Sequence, residues 1–335
     1  MKLQSKWFMR ACLQYGLLLL LACFRCDLAA QPDLRLIQKR IPNAGTQNLA
    51  PDMTVPLQDK GYSLWIPKKQ KPVGMLVFFK AEWDSSGTQE LHALAAQAQL
   101  AVAYISSGMI LEFLFDDASK QLVESYIQEC MTHVNLSGDK LAYLGISLEG
   151  TRALKMAKFA QESASRYHIK PRAAVLCDSP IDFVRFWQEG NRTKRAGFND
   201  DAVNEATWVT GYLEKNLGGT PISHREHYEN YSPYTYHWED SKSALPYLGI
   251  AIRAYHEPNI NWWIDQRRKD YYSMNSIDLA ALVNDSLLMG NTEAQLMSTA
   301  NRGRREDGSH HPHSWEIVDQ AELISWFATM VSKNK

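Results

Sequence analysis

From Gly61 onward, short apolar runs alternate with stretches whose apolar positions recur at helical spacing. Residues 62–66, 75–79, 100–105, 141–144 and 173–177 read as strands, and the continuous apolar character of the last four is that of strands buried on both faces. Between them, residues 89–99, 118–134 and 148–160 carry the period of amphipathic helices. The same rhythm resumes later: a strand over 247–255, a largely helical 265–289, a short strand over 295–300 and a closing helix over 315–331. Strands that alternate with helices require right-handed crossovers, which predicts an α/β fold with a mostly parallel sheet and helices on both faces.

Two regions depart from the rhythm. Residues 31–60 are polar and weakly patterned, and read as an extended lead-in that contributes edge strands. Residues 181–245 are crowded with aromatic side chains and broken by Gly218-Gly219, which marks an inserted cap on a domain spanning 61–335. At the other end, Lys2, Lys6 and Arg10 precede an apolar stretch over 15–24 that holds five consecutive leucines. That is the layout of an export signal covering residues 1–30, too short for a mature membrane span. Leu28-Ala29-Ala30 offers a cleavage site near 30; Leu20-Leu21-Ala22-Cys23 resembles a bacterial lipobox, which places cleavage near 22 and a lipid anchor on Cys23. The expectation is an exported protein, periplasmic or secreted, that meets a membrane only through such an anchor.

Composition narrows the partners. The 335-residue chain has a formal charge of −1, so no basic footprint for nucleic acid exists. Of the five cysteines, Cys12, Cys23 and Cys26 lie in or beside the leader, leaving Cys130 and Cys177, which read as buried thiols. Neither a cofactor motif nor a metal-ligand spacing is present, although His310 and His313 stand close in sequence.

The chemistry concentrates at strand ends, where parallel sheets place their reactive groups. Gly145-Ile146-Ser147 lies between the strand at 141–144 and the helix at 148–160, the position of a nucleophile on a tight strand-to-helix turn. Glu257 follows the strand at 247–255, and His313 follows the last strand. A serine hydroxyl needs an imidazole to take its proton and a carboxylate to orient that imidazole. Ser147, Glu257 and His313 supply these in the order serine, acid, histidine. Asp265 competes with Glu257 as the acid, and His311 and then His310 compete with His313. Asp178 and Asp182 read as caps or orienting groups for the insert, and Trp262-Trp263 as a pocket wall or a seal beneath the cap.

These placements resemble the α/β-hydrolase superfamily of serine esterases and peptidases over residues 60–335. The resemblance implies an acyl-enzyme on Ser147 and an oxyanion hole built from the amide of Leu148 and an amide of Ala81 or Glu82. The sequence departs from the superfamily pattern twice. Lys80-Ala81-Glu82-Trp83 stands where a His-Gly-Gly loop is usual, and Glu149 occupies the place of the second glycine of G-x-S-x-G, with Gly150 one position later. The expected activity is cleavage of a small-molecule ester, with carbohydrate or aromatic esters suggested by the cap's aromatics. A peptidase of the same fold, and a binding module without catalysis, are the alternatives.

Overall fold

The computed structural model describes residues 33–50, 53–84, 88–114 and 116–332. Residues 1–30, read above as an export signal, and Cys23 with them, lie outside the described residues. Among the described residues, no helix is long and apolar enough to cross a membrane.

Eight strands form one sheet in the order β1-β4-β6-β5-β7-β8-β9-β10. They are β1 (Leu34–Ile41), β4 (Lys60–Pro67), β5 (Gly74–Phe78), β6 (Leu100–Ser106), β7 (Leu141–Ile146), β8 (Ala173–Cys177), β9 (Ala251–His256) and β10 (Ala294–Ser298). From β6 to β10 every neighbouring pair is parallel, while β1 and β4 add an antiparallel edge. The lead-in thus supplies β1 and a separate hairpin of β2 (Thr46–Ala50) and β3 (Met53–Pro56).

Side-chain alternation along the buried strands divides the core into two layers. Met75, Val77, Ala101, Tyr143 and Leu176 point to one face, where they meet Val123, Ile127, Leu154, Phe159, Leu279 and Leu282. These come from α2 (Asp117–Val134), α3 (Leu148–Phe159) and α8 (Ser276–Leu288). Leu76, Phe78, Val102, Leu144 and Val175 point the other way, onto Leu91, Ala95, Leu323 and Phe327 of α1 (Gln89–Gln97) and α9 (Gln320–Ser332). Burial on both faces explains why these strands read as unbroken apolar runs.

The 181–245 segment carries three helices: α4 (Phe183–Ala196), α5 (Asp200–Leu217) and α6 (Arg225–Tyr231). It has a small core of its own, in which Phe183, Trp208, Leu213 and Tyr228 surround Phe113, with Leu148 packed against them. The residue that follows the elbow serine is therefore a foundation of the insert. Between β9 and β10, the helical stretch expected over 265–289 divides into α7 (Ile260–Arg267), a single 3₁₀ turn (Tyr271–Ser273) and α8.

Candidate active site

Ser147 joins β7 to α3 with φ 53° and ψ −127°, a conformation that L-residues adopt at a cost of about 1–3 kcal/mol. Its N–H donates to the Cys177 carbonyl (2.9 Å) on neighbouring β8, and its carbonyl accepts from Thr151 N (3.1 Å) in the first turn of α3. The turn is tight enough to explain the glycine pattern. A Cβ on Gly145 would lie 2.5 Å from the Glu149 Cβ, and one on Gly150 would lie 2.0 Å from Ser179 Oγ. Glycine is thus required at 145 and 150, and the absent side chain at 145 makes room for Glu149. Burial pushes the Glu149 pKa above its usual 4.5, opposed by the positive charges of Lys80 and Arg152.

Strand order decides which loops flank the serine. On one side, Phe78 of β5 pairs with Leu144, bringing residues 79–82 beside the elbow. On the other, Cys177 of β8 pairs with Ile146, which makes Asp178 the lateral neighbour of Ser147. Glu257, after β9, is one strand further away.

His313 donates from Nδ1 to Asp178 Oδ2 at 2.6 Å. Desolvation alone would lower the His313 pKa, but the hydrogen bond and charge of Asp178 outweigh it, and the net shift is upward from 6.5. The Cys177 thiol donates to the Ser314 carbonyl (3.5 Å), fastening the histidine loop to the end of β8. Asp178 itself has φ 41°, with its N–H bonded to the Tyr255 carbonyl and its carbonyl to Asn275 Nδ2 (both 2.9 Å).

The expected pairing of Glu257 with His313 is not formed. Glu257 instead accepts from His310 Nε2 (2.6 Å), Arg302 N (2.8 Å), Thr299 Oγ1 (3.1 Å) and Gly303 N (3.3 Å). Its side chain is buried, and although desolvation opposes ionisation these donors hold its pKa below 4.5. Both carboxylates follow a parallel strand and precede the histidines in sequence, so chain order could not separate them. Asp178 was visible as the polar end of a strand next to the elbow strand, and adjacency in the sheet is the signal that singles it out. Asp182, four residues on, does cap α4, accepting from Val184 N and Arg185 N.

The remaining candidates fall into place around this pair. His311 donates from Nδ1 to the His313 carbonyl (2.9 Å), and its ring meets Trp262 edge-on at 4.9 Å. Burial lowers its pKa to about 4. Asp265 is exposed on α7, away from these contacts. Ser147, Asp178, His311 and His313 line one cavity of about 110 Å³, together with Trp263 and with Phe186 of α4. A Glu189–Lys269 ion pair (2.7 Å) forms part of its wall. The Ser147 hydroxyl and His313 face this space without a hydrogen bond between them; in hydrolases such contacts often tighten only around substrate. Leu148, Ala81 and Glu82 are outside the cavity lining, at the start of α3 and in the loop after β5.

The sheet order, the strained serine between β7 and α3, and the histidine loop after the last strand define an α/β-hydrolase fold. Solved structures agree. An esterase B from Lactobacillus rhamnosis superposes with a TM-score of 0.53 at 13% identity, covering 98% of this chain and 97% of that one. A hyperthermophilic esterase from Pyrobaculum calidifontis gives 0.52 at 12% identity over 92% of this chain and 86% of that one. Carboxyl esterase 2 from the fungus Tuber melanosporum gives 0.53 at 11% identity, over 91% and 87%. No family model and no curated protein sequence matches the chain.

Proposed function

We propose that this chain is a serine hydrolase of the carboxylesterase type, in which Ser147 is the nucleophile, His313 the general base and Asp178 the orienting acid. The observation that carries the proposal is the cavity onto which the elbow serine and the Asp178–His313 pair both open. Asp178 accepts a hydrogen bond from His313 Nδ1–H, which keeps the proton on Nδ1 and leaves Nε2 as the lone-pair nitrogen able to deprotonate the serine. Attack on a carbonyl then yields an acyl-enzyme, and His313 returns the proton to the leaving alcohol. The resemblance to esterases in the solved structures agrees with this chemistry, and the tetrahedral oxyanion is assigned to Leu148 N–H and an amide of the 79–82 loop.

Cavity size bears on the substrate. A volume of about 110 Å³ holds roughly four water-sized groups, well short of the ~300 Å³ at which drug-sized pockets begin. A short acyl chain fits that space, and the Glu189–Lys269 pair in its wall favours esters with polar substituents over fatty esters. Turnover of p-nitrophenyl esters of increasing acyl length tests both statements. Activity should be greatest for acetyl to butanoyl esters and fall steeply by octanoyl, and Ser147→Ala should abolish turnover and labelling by a fluorophosphonate. Absence of labelling in the wild type, or labelling that survives Ser147→Ala, rejects the assignment.

A further inference from the structure

Arg152 lies five residues after Ser147 on α3 and is buried. Among the described residues its guanidinium donates only to main-chain carbonyls: Nε to Glu112 (2.7 Å), Nη1 to Phe79 (2.9 Å), and Nη2 to Ile110 (2.8 Å) and Met109 (3.2 Å). Withdrawing a guanidinium from water is costly, and an apolar side chain of similar length could fill the same volume. The charges of Glu112 and Glu149 offset part of that cost, and the four carbonyl bonds account for the guanidinium's shape and placement. Phe79 is the first residue after β5, and its carbonyl shares a planar peptide with the Lys80 N–H, so fixing one fixes the other. At the far end of the same loop, the Glu82 carbonyl accepts from Ser63 Oγ on β4. The loop is thus tied at both ends. Between the ties, the N–H groups of Ala81 and Glu82 have no hydrogen-bond partner among the described residues.

We propose that Arg152 is a positioning residue that builds the oxyanion hole: it sets the 79–82 loop against the start of α3, doing the work that a glycine-rich loop would otherwise do. The inference rests on the serine-hydrolase reading above. One rigid helix then fixes both halves of the hole, since α3 begins with the Leu148 amide and, one turn on, carries the guanidinium that aims the opposing loop. Misplacing oxyanion donors costs transition-state stabilisation and leaves ground-state binding largely intact.

The test is the kinetics of Arg152→Met and Arg152→Lys on p-nitrophenyl butanoate, with thermal melting to count folded enzyme. In Arg152→Met, kcat should fall by about 10²–10³, the range for loss of one oxyanion donor, with KM near the wild-type value. Arg152→Lys should recover part of the loss. Affinity for an aliphatic trifluoromethyl ketone, whose hemiketal places an oxyanion in the hole, should drop by the same factor as kcat/KM. A purely structural arginine would lower the melting temperature but leave kcat per folded molecule and ketone affinity unchanged, and that result overturns the proposal. Should Arg152→Met not fold, Ser63→Ala cuts the other tie; normal kcat in that variant equally overturns it. Turnover that is lost in Ser147→Ala yet intact in Arg152→Met rejects the clamp alone, whereas a wild type without turnover rejects the serine reading and the clamp together.

Discussion

Two carboxylate–imidazole pairs stand side by side in this fold, each 2.6 Å long and each using a histidine from the same loop. Asp178–His313 opens onto the cavity that Ser147 shares. Glu257 and His310 are not among the residues that line that cavity, and the Glu257 carboxylate also collects donors from Thr299, Arg302 and Gly303. The first pair leaves an imidazole nitrogen facing reactive space; the second gathers the backbone of the loop onto a single buried side chain. A short hydrogen bond between an acid and a histidine therefore does not identify a catalytic pair. What the imidazole's second nitrogen faces, and what else the acid holds, are the criteria that distinguish them.

The sharpest way to break this comparison is to neutralise each acid in turn. Asp178→Asn keeps the shape but removes the acceptor that selects the His313 tautomer, and by analogy with other triads kcat should fall about 10⁴-fold with the melting temperature little changed. Glu257→Gln should do the reverse. It replaces one acceptor oxygen by a donor among converging N–H groups, and leaving one or two of them unpaired costs about 2–4 kcal/mol, measured by denaturant unfolding. Its kcat per folded molecule should stay far above that of Asp178→Asn. If Glu257→Gln is the more damaging to turnover, the acid has been misassigned and the expectation from chain order is restored. The stability contributed by Glu257 also has a sign in pH. Because its folded-state pKa lies below 4.5, that stability is present above this value and disappears as pH falls through the folded pKa.

The fold was legible because its determinants are local and repeated. Buried parallel strands need continuous apolar runs, and each run here is followed by a helix with a clear apolar face. Ser147 was legible for the same reason, since strand, glycine and helix adjoin in sequence. The acid was not. Asp178 and Glu257 both follow strands, and they differ in which strand neighbours β7 and in how residues 299–314 fold back onto Glu257. Both are contacts between segments far apart in the chain. The departure at Glu149 has a local explanation: strand and helix do approach closely, and Gly145 and Gly150 accommodate the approach.

A smaller effect sharpens the contrast through pH. In the proposed mechanism His313 serves as a base only when neutral, and its pKa is raised above 6.5 by Asp178. The kcat/KM of the wild type should therefore be lost as pH falls, with a midpoint above 6.5. In Asp178→Asn the supporting charge is gone while burial still disfavours the imidazolium, so the residual activity should titrate with a lower midpoint. An unchanged midpoint would mean that the titration belongs to another group.

His311 supplies the mildest case, because it adjoins the cavity without an acid of its own. Its pKa of about 4 keeps it neutral throughout the working range, so it cannot be the group that titrates above 6.5. Its Nδ1–H bond to the His313 carbonyl gives it a supporting role instead. His311→Gln removes one neutral hydrogen bond, worth about 0.5–1.5 kcal/mol, together with the edge-on contact to Trp262. The variant should melt slightly earlier, lose a small part of kcat, and keep the wild-type pH midpoint. That last measurement is the most discriminating of the three. A shifted midpoint would give His311 a share of the proton proposed for His313, and the division between the pair that opens onto the cavity and the pair that does not would then have to be redrawn to include it.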